Sequence, residues 1–553
     1  MKTVFCAAGA LLLASCASAR PPSADVIYLN GDMWTGVKGA PRAEAVAIVG
    51  ERIAFVGDRA GAHRFHGDQT EIVDLGGKFV APGFIDNHTH FFIGAFGLAS
   101  VQLNDASSKE EFIRRIADYA KSRPKGEWIL GGNWDEEKWG GVLPDRRWID
   151  AATPDHPVYV SRYDGHQALA NSLALKLAGM DDATPTPEGG EIGRDSKGRI
   201  TGTVKDKAME IIEAVIPPPS DEQRAEAFLR GQAEAFAHGV TQVHDMPLPA
   251  GGVEDLKAFK KLRDEGAMKL RVYAFAPIAN WAEAAAFVKE HGRGDDTLRW
   301  GAVKGYVDGS LGSRTAWRYE KFVDADTTGL TMQPPEQLAE WARSADAAGL
   351  HVTIHAIGER ANDFVLETFA DIGGKDLGAK RFRVEHAQHL TRAAIAKFGE
   401  GDIIASMQPY HAADDGRWAI KRIGPEAIKT TYAFRSVLDA GAKLTFGSDW
   451  PVAPLDPLVG IDAAMFRRTT DGLNPQGWVP EEKITGEEAL TAYTVANAYA
   501  GFMEDKVGTL ETGKFADIVV LSDDPTKATE ESIGDIIVLR TIVGGDTVYA
   551  VGE

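Results

Sequence analysis

The sequence contains almost no cysteine, and this scarcity excludes several kinds of site. Its 553 residues include two cysteines, Cys6 and Cys16, both close to the amino terminus. The rest of the chain therefore cannot form a disulfide, a thiolate metal site or a cysteine nucleophile. Any metal ligand in the body of the protein must be a His, an Asp, a Glu or a modified Lys.

Basic charge and long apolar runs are also scarce. The chain has 60 Lys and Arg against 80 Asp and Glu, a net charge of −20. This balance argues against nucleic acid or an anionic lipid surface as the main partner, because both would be repelled. No internal repeat or low-complexity segment is present, so we expect a globular protein of two or three domains. The sequence does not decide whether the protein forms a homo-oligomer.

The amino-terminal residues resemble an export signal. An apolar stretch at 4–14 follows a basic residue and is too short to cross a bilayer, which predicts a signal peptide over 1–19. Residues 17–19 (Ala-Ser-Ala) suit an ordinary signal peptidase, whereas 13–16 (Leu-Ala-Ser-Cys) resemble a bacterial lipobox. We favour cleavage before Cys16, which would carry lipid. The protein would then be exported to the periplasm or cell envelope, with lipid as its only membrane attachment.

Both ends of the remaining chain are rich in short β-strand patterns. Residues 25–80 contain apolar runs broken by Gly and Asp, and 507–553 contain runs of the same kind. Neither segment has enough strands to bury a sheet face alone. We therefore predict that the two segments together form one small β-sandwich domain.

The central segment, residues 81–506, alternates between apolar strand patterns and helical patterns such as 335–348. Eight candidate strands lie at 84–85, 240–244, 270–275, 302–307, 352–355, 382–385, 403–407 and 444–446. Eight parallel strands with helical crossovers predict an α/β fold, the (β/α)8 TIM barrel, whose chemistry lies at the carboxyl ends of its strands. The gap after the first strand is too long for one crossover, so we expect an insertion at about 100–215 over the barrel mouth.

A His-x-His motif follows the first candidate strand. His88 and His90 lie just after the buried residues 84–85. Side chains of an extended segment alternate between faces, so the two histidines point the same way. Two imidazoles on one side of a strand end can bind one Zn, Fe or Mn ion. Paired histidines also occur without a metal, so the motif needs support from the rest of the chain.

Further ligand-type residues stand at other strand ends. Lys304 lies on the fourth candidate strand, His355 ends the fifth, His386 follows the sixth and Asp449 follows the eighth. Each alone has a structural explanation, such as a hydrogen-bonded core histidine or a capping aspartate. All six donor groups nevertheless fall at the face where barrel enzymes carry out their chemistry. Together they predict a metal site.

Longer segments around these residues can be compared with known families. They are Pro82-Gly-Phe-Ile-Asp-x-His-x-His90, Gly132-Asn-Trp-Asp135, Arg162-Tyr-Asp-Gly-His-Gln-Ala-Leu-Ala-Asn171, Lys304-x-x-x-Asp308-Gly-Ser-Leu-Gly-Ser-Arg-Thr-Ala316, His355-Ala-Ile-Gly-Glu-Arg-Ala361, Glu385-His-Ala-Gln388, Gln408-Pro409 and Gly508-Thr-Leu-Glu-Thr-Gly-Lys-Phe-Ala-Asp517. From about residue 25 onward the chain resembles the amidohydrolase superfamily, and more closely its N-substituted formamide deformylase-like branch.

The resemblance implies that a water activated by one or two divalent metal ions, with Zn expected, hydrolyses a carbon–nitrogen bond. The substrate would be a small amide, an N-formyl or N-acyl amine or a cyclic amide. The implied metal ligands are His88, His90, His355, His386 and Asp449, with Lys304 added if it is carboxylated. A carbamate on Lys304 implies two metal ions, whereas a free ammonium has no lone pair to offer and implies one. Asp449 is also the expected catalytic group, because it can pass a proton from water to the departing amine.

Three residues are candidates for substrate binding: His166, Arg314 and Trp134. His166 and Arg314 match motifs of the branch, and we expect them to contact a substrate carbonyl or carboxylate, with a structural hydrogen bond as the alternative. Trp134 and the other tryptophans of the insertion indicate an apolar or aromatic substrate group, although they could instead build the core of the insertion.

Two other functions stay open. Deaminase-type relatives place a catalytic Glu three residues after the fifth-strand His, but Glu359 lies four residues after His355. This spacing weakens the deaminase hypothesis without excluding it. A lipid-anchored binding protein that lost turnover would have no need for the complete donor set, so we favour an enzyme.

Overall fold

The computed structural model describes residues 21–162, 167–187, 190–248 and 252–552. The predicted export signal with Cys16, and the candidate substrate residue His166, lie outside these ranges and stay predictions. Within the described ranges, no helix combines the length and apolarity needed to cross a membrane.

The amino-terminal segment forms five strands that do not close a domain by themselves. They are β1 (Val26–Trp34), β2 (Arg42–Val49), β3 (Arg52–Gly57), β4 (Glu71–Asp74) and β5 (Phe79–Pro82). β1 pairs with β2 on one side and with β4 and β5 on the other. The other edge of β5 pairs with a strand of the carboxyl-terminal segment.

The first barrel strand, β6 (Phe84–Thr89), is followed by the insertion. The insertion strands are β7 (Val101–Gln102), β8 (Gly131–Trp134), β9 (Tyr159–Arg162), β10 (Gln167–Ala170), β11 (Gly190–Arg194) and β12 (Ile200–Asp206). They form a six-stranded sheet in the order β11-β12-β10-β9-β8-β7. Two clusters of buried apolar residues cover this sheet, so the insertion has its own hydrophobic core.

The remaining barrel strands follow the insertion in chain order. They are β13 (Val240–Asp245), β14 (Arg271–Pro277), β15 (Leu298–Tyr306), β16 (His351–Ala356), β17 (Arg383–His386), β18 (Ile404–Met407) and β19 (Lys443–Phe446). With β6 they form one eight-stranded sheet, and all seven strand pairs are parallel. Asn497 Nδ2 bridges the last strand to the first by donating to Ile85 O and Phe446 O. The predicted (β/α)8 barrel is confirmed.

Helices cover the outside of the barrel and connect its strands. The α-helices are Arg59–His63, Phe91–Ala99, Lys109–Lys121, Ser172–Leu177, Met209–Glu213, Asp221–Ala237, Glu254–Asp264, Trp281–His291, Pro335–Ala347, Glu359–Gly373, Leu377–Lys380, Arg392–Gly401, Pro409–Asp415, Pro425–Ile428, Phe434–Asp439, Pro457–Phe466, Gly486–Tyr493 and Val495–Ala500. The 3-10 helices are Glu136–Trp139, Arg146–Trp148, Ile278–Asn280, Gly374–Asp376, Ala419–Lys421, Pro480–Glu482, Pro525–Lys527 and Ile533–Asp535.

The carboxyl terminus completes the first sheet. Its strands are β20 (Ile518–Leu521), β21 (Val538–Val543) and β22 (Asp546–Ala550), and β20 pairs antiparallel with β5. The sheet order is β22-β21-β20-β5-β1-β2-β3. Apolar side chains from both ends of the chain, including Tyr28, Val46, Val80 and Ile518, form one buried cluster. The β-rich domain built from both termini is therefore present, as part of the predicted fold.

Two contacts fix this sheet against the barrel. Gly83 joins β5 to β6, and a Cβ at this position would lie 2.3 Å from the Thr241 side chain, so only glycine fits. Arg271 at the start of β14 forms a buried ion pair with Asp517, with Nε–Oδ2 and Nη2–Oδ1 distances of 2.6 and 3.0 Å. The pair joins the amino-terminal end of the barrel to the terminal sheet, on the side opposite the strand ends that carry the candidate site.

Candidate metal centre

The two histidines of the His-x-His motif share one face because β6 runs through Thr89. Both Nε2 atoms approach the same carboxylate oxygen, Asp449 Oδ1, at 3.5 Å from His88 and 3.3 Å from His90. The backbone N–H of Asp449 donates to His88 O at 2.7 Å. This bond holds the segment after β19 against the segment that carries the histidines.

Hydrogen bonds to the far nitrogen set the orientation of each imidazole. The Nδ1 atoms of His88, His90 and His386 lie 2.7 Å from Glu385 Oε2, 2.8 Å from Met246 O and 2.8 Å from Gln408 Oε1. A ring whose Nδ1 donates keeps a lone pair on Nε2. His355 is reversed, because its Nε2 is 3.1 Å from Gly309 O and its Nδ1 is left for a ligand. Each of the four rings therefore keeps one nitrogen that can bind a ligand.

Burial keeps His88, His355 and His386 neutral, the form that binds a metal. Burial and the nearby charge of Lys304 lower the pKa of His88 to about 4 and that of His355 to about 3. Burial and the neighbouring His355 hold the pKa of His386 well below its ordinary value. A neutral imidazole at neutral pH has the free lone pair that a protonated one lacks.

Lys304 lies inside the same cluster. Its side chain is 1% exposed, and its Nζ is 3.3 Å from His88 Nε2. Burial, opposed by the carboxylates of Glu385 and Asp449, lowers the pKa of Lys304 to about 8. More of this amine is unprotonated near neutral pH than of an exposed lysine. The position suits either a carboxylated or a free lysine.

Glu385 supports the cluster from behind. Its Oε2 accepts hydrogen bonds from Ser406 Oγ at 2.6 Å and Arg383 Nη2 at 3.1 Å, in addition to its contact with His88. Burial opposes ionisation of Glu385, but the charge of Arg383 and the hydrogen bond with His88 outweigh it and hold its pKa well below the usual range. An ionised carboxylate on Nδ1 orients His88 and makes its Nε2 more basic.

The donor set fits a divalent cation. One ligand atom each from His88, His386 and Asp449 lie within 4.8 Å of one another. Asp449 Oδ1 is buried and accepts no hydrogen bond from any described residue. A buried carboxylate oxygen without a donor or a cation is unfavourable. Two neutral imidazole nitrogens and one carboxylate oxygen are ligands that Zn and related ions use.

The comparison with known proteins agrees with this geometry. The sequence profile of the amidohydrolase family matches residues 71–549. The chain belongs to the amidohydrolase family. It is therefore a hydrolase of the class that acts on carbon–nitrogen bonds, and the resemblance inferred from its motifs is confirmed.

Individual relatives match this amidohydrolase over most of its length. It is 39% identical to the protein LONG AFTER FAR-RED 3 of Arabidopsis thaliana, over 96% of this chain and 93% of the relative. It is 28% identical to the N-substituted formamide deformylase of Arthrobacter pascens, over 94% of this chain and 97% of that enzyme. The crystal structure of an uncharacterized metal-dependent hydrolase from Pyrococcus furiosus superposes with a TM-score of 0.76, 31% identity, and coverage of 91% and 100% of the two chains.

A cavity of about 470 Å³ opens beside the candidate metal ligands of this amidohydrolase. His90, His355, His386 and Asp449 line it, together with apolar and aromatic residues from the loops after the barrel strands. Within the described part of the insertion, no residue lines this cavity. The barrel loops, rather than that part of the insertion, shape the space in which a substrate can meet the metal.

Neither Trp134 nor Arg314 is among the residues that line this cavity, so the cavity gives no support to the predicted substrate contacts. Trp134 is fully buried in the insertion core, and its Nε1–H donates to Val160 O at 2.9 Å. The insertion has to bury its own sheet face, and the large indole ring does this. Arg314 pairs with Asp324 at 2.7 Å and 3.1 Å. Its guanidinium is therefore occupied by a carboxylate of the protein.

The side chain of Glu359 forms an ion pair within the protein. It begins the helix Glu359–Gly373, and its two oxygens lie 2.9 Å and 3.1 Å from the guanidinium of Arg318. Arg318 is 1% exposed, so this is a buried charge pair. A carboxylate engaged in this way is poorly suited to transfer protons, which further weakens the deaminase hypothesis.

His411 and Asp415 line the cavity, although neither belongs to the predicted site. His411 and Asp415 lie on the helix Pro409–Asp415, which begins directly after β18 and Gln408. His411 Nε2 is 3.8 Å from Asp449 Oδ2, and its ring is nearly parallel to that of His386. The two residues are four positions apart on a helix that starts at a strand end, which puts both side chains on one face. This spacing is the feature of the sequence that could have predicted them as site residues.

Proposed function

We propose that this amidohydrolase hydrolyses N-formyl or N-acyl amines, with zinc as its metal. The observation that carries the proposal is the convergence of His88 and His90 on the unpartnered Oδ1 of Asp449, with His386 in the same cluster, beside a cavity of about 470 Å³. The match to the N-substituted formamide deformylase of Arthrobacter pascens supports the choice of substrate.

The ligand residues would be His88, His90, His355, His386 and Asp449. A divalent ion held there supplies two effects: it lowers the pKa of bound water to about 7 and polarises the substrate carbonyl. Groups of the protein itself orient the ligands. Glu385, Met246 and Gln408 hold the imidazoles in the orientation that faces the cavity.

Asp449 is the proton carrier of the proposed reaction. Burial opposes its ionisation, but the close approach of the His90 and His88 rings, at 3.3 Å and 3.5 Å, outweighs burial and holds the pKa of Asp449 well below its usual range. The ionised carboxylate accepts a proton from the attacking water as the new carbon–oxygen bond forms. It then delivers that proton to the nitrogen as the carbon–nitrogen bond breaks, which releases an amine and formate or another carboxylate.

His411 can assist at the substrate oxygen. Its Nε2 is buried without a hydrogen-bond partner among the described residues, and it faces the cavity beside Asp449. An N–H in this position can donate to the carbonyl oxygen, which gains negative charge as water attacks. Donors aimed at such an oxygen stabilise the transition state more than the substrate.

The test uses protein whose metal content has been measured and zinc restored. Wild type should hydrolyse members of a panel of N-formyl and N-acyl amines, and Asp449→Asn should lower kcat by at least about a thousandfold, the scale seen when a general base is lost. Asp324→Asn, which changes a carboxylate outside the cavity, is the matched control and should keep wild-type kcat. Bound metal without turnover of any amide would instead favour a binding protein.

The state of Lys304 decides the number of metal ions. A carboxylated Lys304 would add the mass of one carbon dioxide to intact protein and accompany two zinc ions per chain. A free Lys304 would accompany one. Native mass spectrometry combined with metal analysis distinguishes these two states, and Lys304→Ala with added short-chain carboxylate tests whether an external anion can replace the carbamate.

A further inference from the structure

The cavity has an acidic end that the proposed reaction does not use. Asp415 is the last residue of the helix Pro409–Asp415 and lines the cavity. His411, one helical turn earlier, lies 3.8 Å from Asp449. Residues four apart on a helix have Cβ atoms about 5–6 Å apart. The Asp415 side chain therefore lies about one helical turn beyond the reacting groups.

Asp415 is held in place by neutral donors. Its Oδ2 accepts hydrogen bonds from Tyr432 OH at 2.7 Å and from Gln388 Nε2 at 2.9 Å. No Lys or Arg of the described chain forms an ion pair with it. The adjacent Asp414 differs, because Arg417 pairs with that carboxylate. Asp415 is thus a partly buried carboxylate that faces the cavity and has no basic partner of its own beyond the nearby imidazole of His411.

The end of the cavity around Asp415 suits a cation. No Lys or Arg is found among the described residues that line the cavity, and of the neighbouring carboxylates Asp414 already pairs with Arg417. Aromatic faces attract organic cations through the negative charge of their π-systems. Four aromatic side chains line the cavity: Tyr306, Tyr410, Trp418 and Tyr432. An anionic substrate group at this end would meet the carboxylate of Asp415, which no Lys or Arg of the described chain pairs with.

We propose that Asp415 binds a basic group of the substrate, so that the enzyme prefers N-formyl or N-acyl amines whose nitrogen substituent ends in an ammonium, amidinium or guanidinium group. This inference rests on the proposed function and names the substrate class. The cation lies against Asp415 and the aromatic walls, while the amide carbonyl lies at Asp449 and His411. The separation of about one helical turn corresponds to a short alkyl spacer between the two groups.

The test compares three substrate series on the zinc-loaded enzyme. They are monoformylated diamines, N-alkylformamides of equal length and N-formyl ω-amino acids, which differ only in the charge of the far end. We expect kcat/KM for the best diamine to exceed that of its neutral counterpart by about 10- to 100-fold, the scale of a hydrogen bond to a charged group. The anionic series should be the poorest.

Variants assign the preference to Asp415. Asp415→Asn keeps an acceptor for Tyr432 and Gln388 but loses the charge, so the ratio of diamine to neutral substrate should fall to near one. Asp414→Asn, which removes a carboxylate already paired with Arg417, should leave that ratio within about twofold. Asp415→Ser is the second variant if the first fails to fold.

A binding measurement separates failure of this inference from failure of the proposed function. Calorimetric titration with the free diamine should show binding to wild type that Asp415→Asn weakens at least tenfold. Equal turnover of charged and neutral formamides, with diamine binding unaffected by the variant, would overturn the role of Asp415 and leave the proposed function intact. Absence of turnover in all three series, with Asp415-dependent diamine binding, would overturn the proposed reaction and retain the cation site.

Discussion

The contact between His88 and Glu385 shows how one residue can control the metal centre without binding the metal. The two side chains meet at 2.7 Å although 297 positions separate them in the chain. Both are fully buried. The carboxylate fixes which imidazole nitrogen faces the centre, because only the nitrogen that does not donate keeps its lone pair.

We predict that Glu385→Gln weakens zinc binding by about 10- to 100-fold, the range for residues that orient a metal ligand. The amide still accepts from His88 but loses the charge that raises its basicity and that pairs with Arg383. Competition against a chelator of known affinity measures the change. Ser406→Ala, which removes a single donor to Glu385, should have a smaller effect. Unchanged affinity in a folded Glu385→Gln protein would contradict this role.

His411 gives a second prediction for a single residue. His411→Phe should lower kcat by about 100-fold with little change in KM, because a donor to the developing oxyanion acts in the transition state. His411→Gln retains an N–H donor and should recover part of kcat. Equal losses in both variants would indicate that the imidazole only fills space. Steady-state kinetics with an N-formyl amine provides the measurement.

The sequence patterns predict the positions of these residues only approximately, and the strands of the structure define them. The predicted first strand ended at Ile85, but β6 continues through Thr89, because its parallel pairing with β13 extends to Thr89 and Asp245. His88 therefore lies within the barrel wall rather than in a loop after it. The extension depends on a strand that the whole insertion separates from β6 in the chain.

A histidine at the carboxyl end of the helix Asp221–Ala237 lies between two carboxylates. His238 follows the helix, with Nδ1 3.3 Å from Asp456 Oδ2 and Nε2 3.3 Å from Glu234 Oε1. Asp456 first, and then Glu234, raise the pKa of His238 to about 10. A cation at this end of a helix also interacts favourably with the helix dipole.

The raised pKa predicts a stability effect with a defined pH window. The stabilisation from His238 is fully present below its ordinary pKa of 6.5 and is lost as pH rises through about 10. His238→Gln should therefore lower Tm by about 1–2 °C at pH 6, a small value because the side chain is partly exposed. Wild type and variant should converge above pH 10. A Tm difference that is constant across thermal melts from pH 6 to pH 10 would contradict the pairing.

At the scale of the whole molecule, the barrel and the terminal sheet are one structural unit. The chain enters the barrel from β5 through Gly83 and returns to pair β20 with β5. The buried Arg271–Asp517 pair joins them again at the amino-terminal end of the barrel. This arrangement leaves the carboxyl-terminal face, with the metal centre and the cavity, free for substrate.

The location of the molecule stays a prediction that depends on Cys16. We expect the mature chain to begin at this residue and to carry two or more acyl chains, which together hold a protein stably at a membrane. Mass spectrometry of the amino terminus from membrane fractions is the measurement, with Cys16→Ser as the control that should release the protein. An unmodified start at Arg20 in soluble exported protein would show that the ordinary signal-peptidase site is used.

The sequence by itself determined the order of the strands, the barrel, the shared terminal domain and the residues that stand at the strand ends. These follow from local causes: β-branched apolar runs form strands, turns interrupt them, and a parallel barrel brings all carboxyl ends of its strands to one face. Lys304, His355 and Asp449 could therefore be named before their neighbours were known.

Only the tertiary structure decided how the site is oriented and what lines its cavity. Glu385 contacts His88 across 297 positions of the chain, and Arg383 donates to Asn87 O across 296 positions. The sequence is compatible with Trp134 as a binding residue or as a core residue. In the structure it is buried in the core of the insertion. Local pattern fixes which faces are apolar or polar, but the partner of a polar group is set by the three-dimensional packing of distant elements.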